Sequence, residues 1–395
     1  MNFSGLTVGI PREIMEHEFR VAAIPETVKK LVSEGAKVLV EAGAGSGAHF
    51  YDDEYRAAGA EIVDDCEKLY AQADIVMKVK EPLYNEAKKK HEVALMKKGQ
   101  LLVTFLHPAS PSNHGMIGDL ARQGVTGLTL DGIPRITRAQ SMDALTSMST
   151  VAGYKGVIMA ADDLTKFLPM VGTAVGVLQP SQVFVVGAGV AGLQALATAK
   201  RLGAMVFAAD IRPEAAEQAK SLGAKIVDTL VPRDMAVGTG GYALALPDEW
   251  LEKERAAIRE TVKKSDIVVL SALVPGKIAP ILVTEEMVKE MKSGSVIVDI
   301  AVDQGGNCEA TDPGRTSVKH GVTIIGTKNI PGYVPTSSTW MFAHNIYNLV
   351  SYLVKDGKIR IDRSDEIVAS TLVTIDGKLV HAGALEAMAA PKKGA

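Results

Sequence analysis

The run Val183-Phe-Val-Val-Gly-Ala-Gly-Val-Ala-Gly192, followed by Met205-Val-Phe-Ala-Ala-Asp210, limits the possible folds of this chain more than any other stretch. It reads as a strand, a glycine turn, the start of a helix and a second strand closed by an acid. Gly187 permits the tight turn, Gly189 lets backbone approach a pyrophosphate, and Gly192 allows the helix to pack closely on the strand. Free amides at the helix start, with the positive end of its dipole, suit phosphate. Asp210, about twenty residues beyond the glycines, is placed to accept hydrogen bonds from both ribose hydroxyls and to repel a 2′-phosphate. The expectation is a site for NAD(H) in preference to NADP(H), with Ala188, Val190 and Ile211 supplying the intervening backbone. Arg212, just past the acid, works against that preference. A glycine turn without a ligand is the competing reading.

At 395 residues the chain exceeds what one ordinary core holds, so two domains are expected. The 43 Lys and Arg against 46 Asp and Glu leave a net charge of -3, which supplies no electrostatic reason for a nucleic-acid partner or an anionic membrane surface. The 2 cysteines, Cys66 and Cys308, cannot build a disulfide framework and have no metal-ligand spacing. Burial as small apolar side chains in a reducing compartment is expected, with no metal site. The N-terminus runs directly into a strand-like segment without a signal peptide, and no apolar stretch reaches the ~20 residues that span a bilayer. These features predict a soluble, cytoplasmic chain.

Short apolar runs bounded by Gly, Pro and Asp alternate with amphipathic segments over most of the length, the pattern of βα units around parallel sheets. Candidate strands Leu6–Ile10, Lys37–Glu41, Ile75–Val79, Leu101–Leu106 and Val125–Leu130 fill a first sheet. Val183–Val186, Val206–Ala209, Lys225–Val227, Ile267–Ser271, Val296–Asp299 and Val322–Ile325 fill a second. Segments from Ser141 to Phe167 and from Thr339 to Val354 suit long helices linking them. The expected fold is α/β, with two Rossmann-like, doubly wound parallel-sheet domains joined by long helices and a cleft between them. Residues 1–140 with 340–395 form a discontinuous N-terminal domain, and 141–339 form the NAD(H)-binding domain with its linking helix. Ile367–His381 reads as a hairpin about Asp376-Gly377. Val231–Trp250, containing Gly238-Thr-Gly-Gly-Tyr242, is either a lid with Tyr242 at its tip or a surface excursion.

The segment Ile133-Pro-Arg-Ile-Thr-Arg-Ala-Gln-Ser-Met-Asp-Ala-Leu-Thr146 gathers Arg135, Gln140, Asp143 and Thr146 at the domain junction. On a helix beginning near Gln140 the last three, spaced by three, share one face. Capping alone, with Ser141 as N-cap and Asp143 in the first turn, is the alternative and leaves Arg135 and Gln140 without roles.

That segment closely resembles the NAD(H)-binding α subunit of proton-translocating NAD(P) transhydrogenases. So do Val151-Ala-Gly-Tyr154, the glycine run extended to Gly203, Ala272-Leu-Val-Pro-Gly-Lys277, Gly294-Ser-Val-Ile-Val-Asp299 and Gly305-Gly-Asn-Cys308, and the likeness covers nearly the whole chain. It implies that Arg135, Gln140 and Asp143 lie against the dihydronicotinamide, with Thr146 where the family has serine. It adds Ala272 and Leu273 to the cofactor-binding residues. It also implies a homodimer, direct hydride transfer from NADH to NADP⁺ on a partner subunit, and proton-conducting membrane subunits that hold this chain peripherally at the inner membrane. Direct transfer needs two rings at near-attack distance and water excluded, and no protein acid or base.

The first domain also resembles alanine dehydrogenase. Arg20 in His17-Glu-Phe-Arg-Val-Ala-Ala-Ile-Pro25, Lys80 in Val79-Lys-Glu-Pro82, His107 in Phe105-Leu-His-Pro108 and Asp303 in Ala301-Val-Asp-Gln-Gly-Gly306 match positions that family uses. The likeness implies that Arg and Lys hold a substrate carboxylate, that the His exchanges a proton with the amino or imino centre, and that the Asp assists. Purely local roles for Lys80 and His107 stay open beside it, as does an NADH-sensing subunit without turnover. The Arg-Ala-Gln-Ser-Met-Asp loop, foreign to the alanine dehydrogenase pattern, places transhydrogenase first.

Overall fold

The computed structural model describes residues 2–238, 243–274 and 277–389. They form two compact units, one made of the chain up to Met148 together with the chain from Gly332, the other of Ser149–Pro331.

In the first unit, β1 (Thr7–Ile10), β2 (Lys37–Glu41), β3 (Glu61–Val63), β4 (Ile75–Met77), β5 (Leu101–Thr104) and β6 (Thr126–Thr129) pair in parallel in the order β6-β5-β4-β1-β2-β3. Ile75, Val76, Met77, Leu102 and Val103 are wholly buried. Continuous apolar strands of this kind are what a parallel sheet covered on both faces requires. Strand order reverses between β1 and β4, which makes the carboxyl ends of those strands the topological switch point.

A 3-10 turn, Thr137–Met142, then breaks at Asp143 (φ -74°, ψ 82°), and the helix Ala144–Asp163 begins. Asp143 Oδ1 accepts from the Thr146 amide at 2.8 Å and Oδ2 from its hydroxyl at 2.6 Å. Asp143, not Ser141, therefore caps this helix, and the expectation that Gln140 shares a helical face with Asp143 and Thr146 is corrected: the cap places Gln140 on the preceding turn.

In the second unit, β7 (Val171–Thr173) and β8 (Gly176–Leu178) form a separate antiparallel hairpin. The main sheet contains β9 (Gln182–Val186), β10 (Met205–Ala209), β11 (Lys225–Ile226), β12 (Ile267–Leu270), β13 (Val296–Asp299), β14 (Thr316–Lys319) and β15 (Val322–Ile325). Its order is β11-β10-β9-β12-β13-β15-β14, parallel except for the antiparallel edge strand β14. Val183 and Val185 face one core, Phe184 and Val186 the other. In the Val231–Trp250 segment, Arg233–Ala236 is helical and Val237 bridges Ala243; Tyr242 lies outside the described residues.

The helix Pro335–Leu353 belongs again to the first unit, where β16 (Leu372–Ile375) pairs antiparallel with β6 and β17 (Lys378–Leu379) completes the hairpin. Asp376 and Gly377 both adopt positive φ, 51° and 76°, as a two-residue hairpin turn requires. The hairpin starts at Leu372 rather than Ile367. Asp365 accepts from the Ile367 and Val368 amides and nucleates the helix Glu366–Thr371, so a local cap overrides the β-branched run. No helix of the described residues is long and apolar enough to cross a membrane. Cys66 and Cys308 are buried and form no disulfide.

Candidate functional site

Three constellations come from the predicted residues. The first lies where β9 meets its helix. Gly187 has φ +90°, and a Cβ there would stand 2.7 Å from the Ala272 nitrogen; a Cβ on Gly192 would stand 1.9 Å from the Gly187 carbonyl oxygen. No side chain larger than hydrogen fits either position. Gly189 is the N-cap of Val190–Arg201, and its Cβ position has only the Arg212 Nη2 within 4 Å, at 3.9 Å. The turn is thus bare backbone opening on a helix N-terminus, which fits the pyrophosphate of a dinucleotide.

The opposite wall of this switch point is held by residues that sequence reasoning left without a role. Ser271 Oγ donates to the Gly187 carbonyl at 2.8 Å. Asn307, wholly buried, accepts from the Ala272 amide at 2.9 Å and donates to the Ala272 and Pro280 carbonyls at 2.9 and 2.8 Å. It fixes Ala272 and Leu273 much as another strand would. Asp299 holds Asn307 in turn, accepting from the amides of Asn307 and Cys308 and from Thr311 Oγ1 at 2.9 Å, 3.1 Å and 2.9 Å. Burial pushes the Asp299 carboxyl up in spite of these bonds.

At the end of β10, Asp210 Oδ2 accepts from the Ala188 amide at 2.8 Å, and Arg212 grips both oxygens, Nε to Oδ1 at 3.0 Å and Nη2 to Oδ2 at 2.8 Å. Glu254, buried on the helix Asp248–Lys264, is pushed up to about 7 by its burial, with the charge of Asp210 adding to the shift. The acid predicted to read the ribose stands in place, already paired.

The second constellation is the loop before Ala144. Arg135 and Gln140 are exposed, while Asp143 and Thr146 are half-buried and joined by the cap. Asn345 and Asn348, one turn apart, each donate to the Ser141 carbonyl at 3.0 Å. Arg138 Nη1 donates to Tyr352 Oη at 2.7 Å and to Asp365 Oδ2 at 2.8 Å, and Tyr352 donates to the same carboxylate at 2.7 Å. Partial burial raises the Asp365 carboxyl, but the Tyr352 and Arg138 bonds hold it down at about 2. The C-terminal segment of the first unit therefore fastens the loop from behind and leaves its polar face open.

The third lies at the carboxyl edge of the first sheet. His107, at φ 46°, points Nδ1 at Asp131 Oδ1, 2.8 Å away, and stacks on Phe105. Desolvation opposes a charged imidazole here, yet Asp131 raises the His107 pKa overall; burial likewise raises Asp131, and His107 and Thr129 hold it at about 2. The charge of Lys80 bears on both His107 and Glu18. Arg20, 2% exposed, forks onto Glu18 with Nε to Oε1 at 2.7 Å and Nη2 to Oε2 at 2.5 Å. Behind Lys80, the wholly buried Lys78 sits 2.9 Å from Glu92 and 3.4 Å from Glu13. Glu13 accepts from the Val79 amide at 2.6 Å, and burial pushes its carboxyl up to about 7 against the pull of Lys78. Asp303 belongs instead to the second unit, its carboxylate accepting from the Asn329 amide at 3.1 Å. Asp131 was missed in the sequence; its position two residues beyond a parallel strand is the signal that marks it.

Comparison with known proteins places the whole chain. Residues 9–152 match "Alanine dehydrogenase/PNT, N-terminal domain" and residues 156–382 match "Alanine dehydrogenase/PNT, C-terminal domain". The chain is 44% identical over 382 residues to the NAD(P) transhydrogenase subunit alpha of Rhodospirillum rubrum, in the first of the pieces into which that subunit is divided, covering 95% of this chain and 98% of that one. A crystal structure of transhydrogenase from Sinorhizobium meliloti superposes with a TM-score of 0.83 at 40% identity, over 95% of this chain and 100% of that one. Alanine dehydrogenase of Staphylococcus saprophyticus is more distant, 34% identical over 391 residues, 97% of each chain. The chain belongs to the alanine dehydrogenase/PNT family.

Proposed function

We propose that this chain is the NAD(H)-binding component of a proton-translocating NAD(P) transhydrogenase. Bound NADH supplies the hydride, which passes directly to NADP⁺ held on a partner subunit. Gly187, Ala188, Gly189, Val190 and Gly192 receive the pyrophosphate on backbone, Asp210 with Ile211 and Arg212 takes the ribose, and Ala272 and Leu273 line the far wall. Arg135, Gln140, Asp143 and Thr146 orient the dihydronicotinamide. Tyr242 closes over it. The observation that carries this reading is the Arg135–Thr146 loop: it contains no His, Cys or Lys, is fastened at Arg138 and Ser141, and presents orienting groups where direct transfer asks for position and not for proton exchange. Asp143→Ala or Gln140→Ala should leave NADH binding intact and slow single-turnover hydride transfer to a reconstituted NADP(H) partner. Unchanged transfer rates in both would sink the assignment.

Membrane-embedded, proton-conducting subunits are the further partners, and a second copy of this chain is another. The β7–β8 hairpin supports the homodimer: Val175 is 99% exposed, and Val177 and Leu178 are more than half exposed. An isolated two-stranded hairpin is marginal on its own and an apolar one gains most from a covering surface. Val175→Asp with Val177→Asp should shift the chain to monomer in sedimentation velocity.

A second reading, amino-acid dehydrogenase, is favoured by the His107–Asp131 pair beside Lys80. Reduction of NAD⁺ by L-alanine with the purified chain alone would establish it; no reduction by a chain that binds NADH leaves the transhydrogenase reading standing.

A further inference from the structure

Two groups of opposite charge stand side by side at the end of β10, and ribose recognition by the acid accounts for only one of them. Asp210 is nearly enclosed, its side chain 5% exposed against 18% for Arg212. Oδ1 accepts from the Arg212 amide and Nε, and Oδ2 accepts from the Ala188 amide and Arg212 Nη2. A carboxylate offers about four lone-pair sites, and all are taken. A ribose diol needs two of them. The Ala188 and Arg212 amides belong to the turn itself, so the guanidinium is the donor that gives way.

The same guanidinium covers the turn, with Nη2 3.9 Å from the Cβ position of Gly189. Once displaced from Asp210 it stays tethered two residues away, a planar fork at the edge where a 2′-phosphate would project. A forked donor pairs with phosphate as readily as with carboxylate, and an arginine near the ribose is the usual means of accepting the 2′-phosphate in dinucleotide folds.

We infer that Arg212 is a latent 2′-phosphate receptor which Asp210 keeps committed, so that the Asp210–Arg212 pair, and not the acid alone, sets the choice of NADH over NADPH. This rests on the reading that the second unit holds NAD(H). Asp210 excludes NADPH in two ways, by repelling the phosphate and by occupying the one cation at the ribose edge that could offset it.

Calorimetric titration of the full chain with NADH and with NADPH separates these effects across wild type, Asp210→Asn, Arg212→Ala and the double variant. Asn keeps the shape and an acceptor for the Ala188 amide but releases the guanidinium. Asp210→Asn should bind NADH more weakly and NADPH about tenfold more tightly than wild type, the gain falling with added salt as a phosphate contact does. Arg212→Ala should gain nothing for NADPH. The double variant should lose the gain of Asp210→Asn. If the double variant gains as much as Asp210→Asn, Asp210 acts by repulsion alone and the inference is overturned, while the nucleotide site stands. No NADPH gain in Asp210→Asn with NADH weakened overturns it equally. If NADH binds all four alike, the nucleotide assignment itself falls. Asp210→Ser serves as the second background should Asp210→Asn melt early.

Discussion

At the carboxyl edge of the first sheet the chain projects charged side chains; at that of the second it presents backbone. Around β4, β5 and β6 stand Lys78, Lys80, His107 and Asp131, each paired or within reach of an opposite charge. Around β9 and β12 the working surface is Gly187, Gly189, the Ala188 amide and the Ala272 main chain, with the polar residues Asn307 and Asp299 buried behind it. The two sheets share a topology and a switch point, so topology does not explain the difference. The ligand does. A long polyanion is best met by many amides at close range, which only glycine-lined turns allow, whereas a small charged substrate is met by a few charges of fixed position. The first edge should therefore be sensitive to charge and the second to volume.

Lys78→Met should give the largest effect. It removes the cation from between two buried carboxylates, and stranding buried charge in this way costs about 3–5 kcal/mol. Adding Glu13→Gln and Glu92→Gln should restore some of it. A urea midpoint unchanged by Lys78→Met would show that the network is not under the electrostatic load its burial implies.

Gly192→Ala tests the other edge through volume alone. The new Cβ would meet the Gly187 carbonyl at 1.9 Å, so turn and helix must separate, at about 1–3 kcal/mol. NADH binding should be lost while charge is untouched. Gly172→Ala, whose Cβ would meet nothing within 4 Å, is the control. Equal NADH affinity in both variants would break the contrast between the edges.

Proton uptake should mark the first edge only. His107 has its pKa raised above 6.5, so its contribution to stability is fully present below 6.5 and is lost as pH rises through the folded value. Asp131, lowered from 3.8 to about 2, contributes above 3.8 and loses that contribution as pH falls toward 2. The pair is strongest between 3.8 and 6.5. The stability difference between wild type and His107→Gln should therefore shrink from about pH 6 to about pH 9. Partial exposure, 39% for the His107 side chain, keeps the change small. A pH-independent difference would remove the charge pair from the account.

Much of this organisation was legible because it is local. Val296–Asp299 and Val322–Ile325 are strands over the residues their apolar runs indicate, and the Asp376-Gly377 turn sits where its dipeptide places it. What escaped depends on partners far along the chain. Asn307 looks like one more residue of a glycine-rich loop until Ala272, 35 positions away, is beside it. Asp131 gains meaning from His107, 24 positions away. Glu61–Val63 and Thr316–Lys319 are short strands at sheet edges, where half the residues face water and the apolar signal fades. Asp143 and Asp365 defeated pattern reading in the same way, each capping a helix whose start the side-chain periodicity alone sets elsewhere.

The smallest expected effect on stability belongs to the loop, which fits neither edge. Its Arg138 pairs with Asp365 at the surface, with side chains 50% and 19% exposed, and pairs so open to water and salt contribute little to stability. Arg138→Ala should barely move the melting temperature and should leave NADH affinity unchanged. Yet Arg138 is one of the two fastenings behind Arg135, Gln140 and Asp143, and a displacement on the order of 1 Å at a reacting centre costs up to about a hundredfold in rate. Hydride transfer to the NADP(H) partner should therefore slow more than stability falls, and Arg138→Lys, which keeps charge but loses the fork, should recover it only incompletely. If rate and stability fall together, or if neither changes, the fastening is ordinary surface structure. The loop would then work through its own exposed side chains alone, and position would not be its contribution.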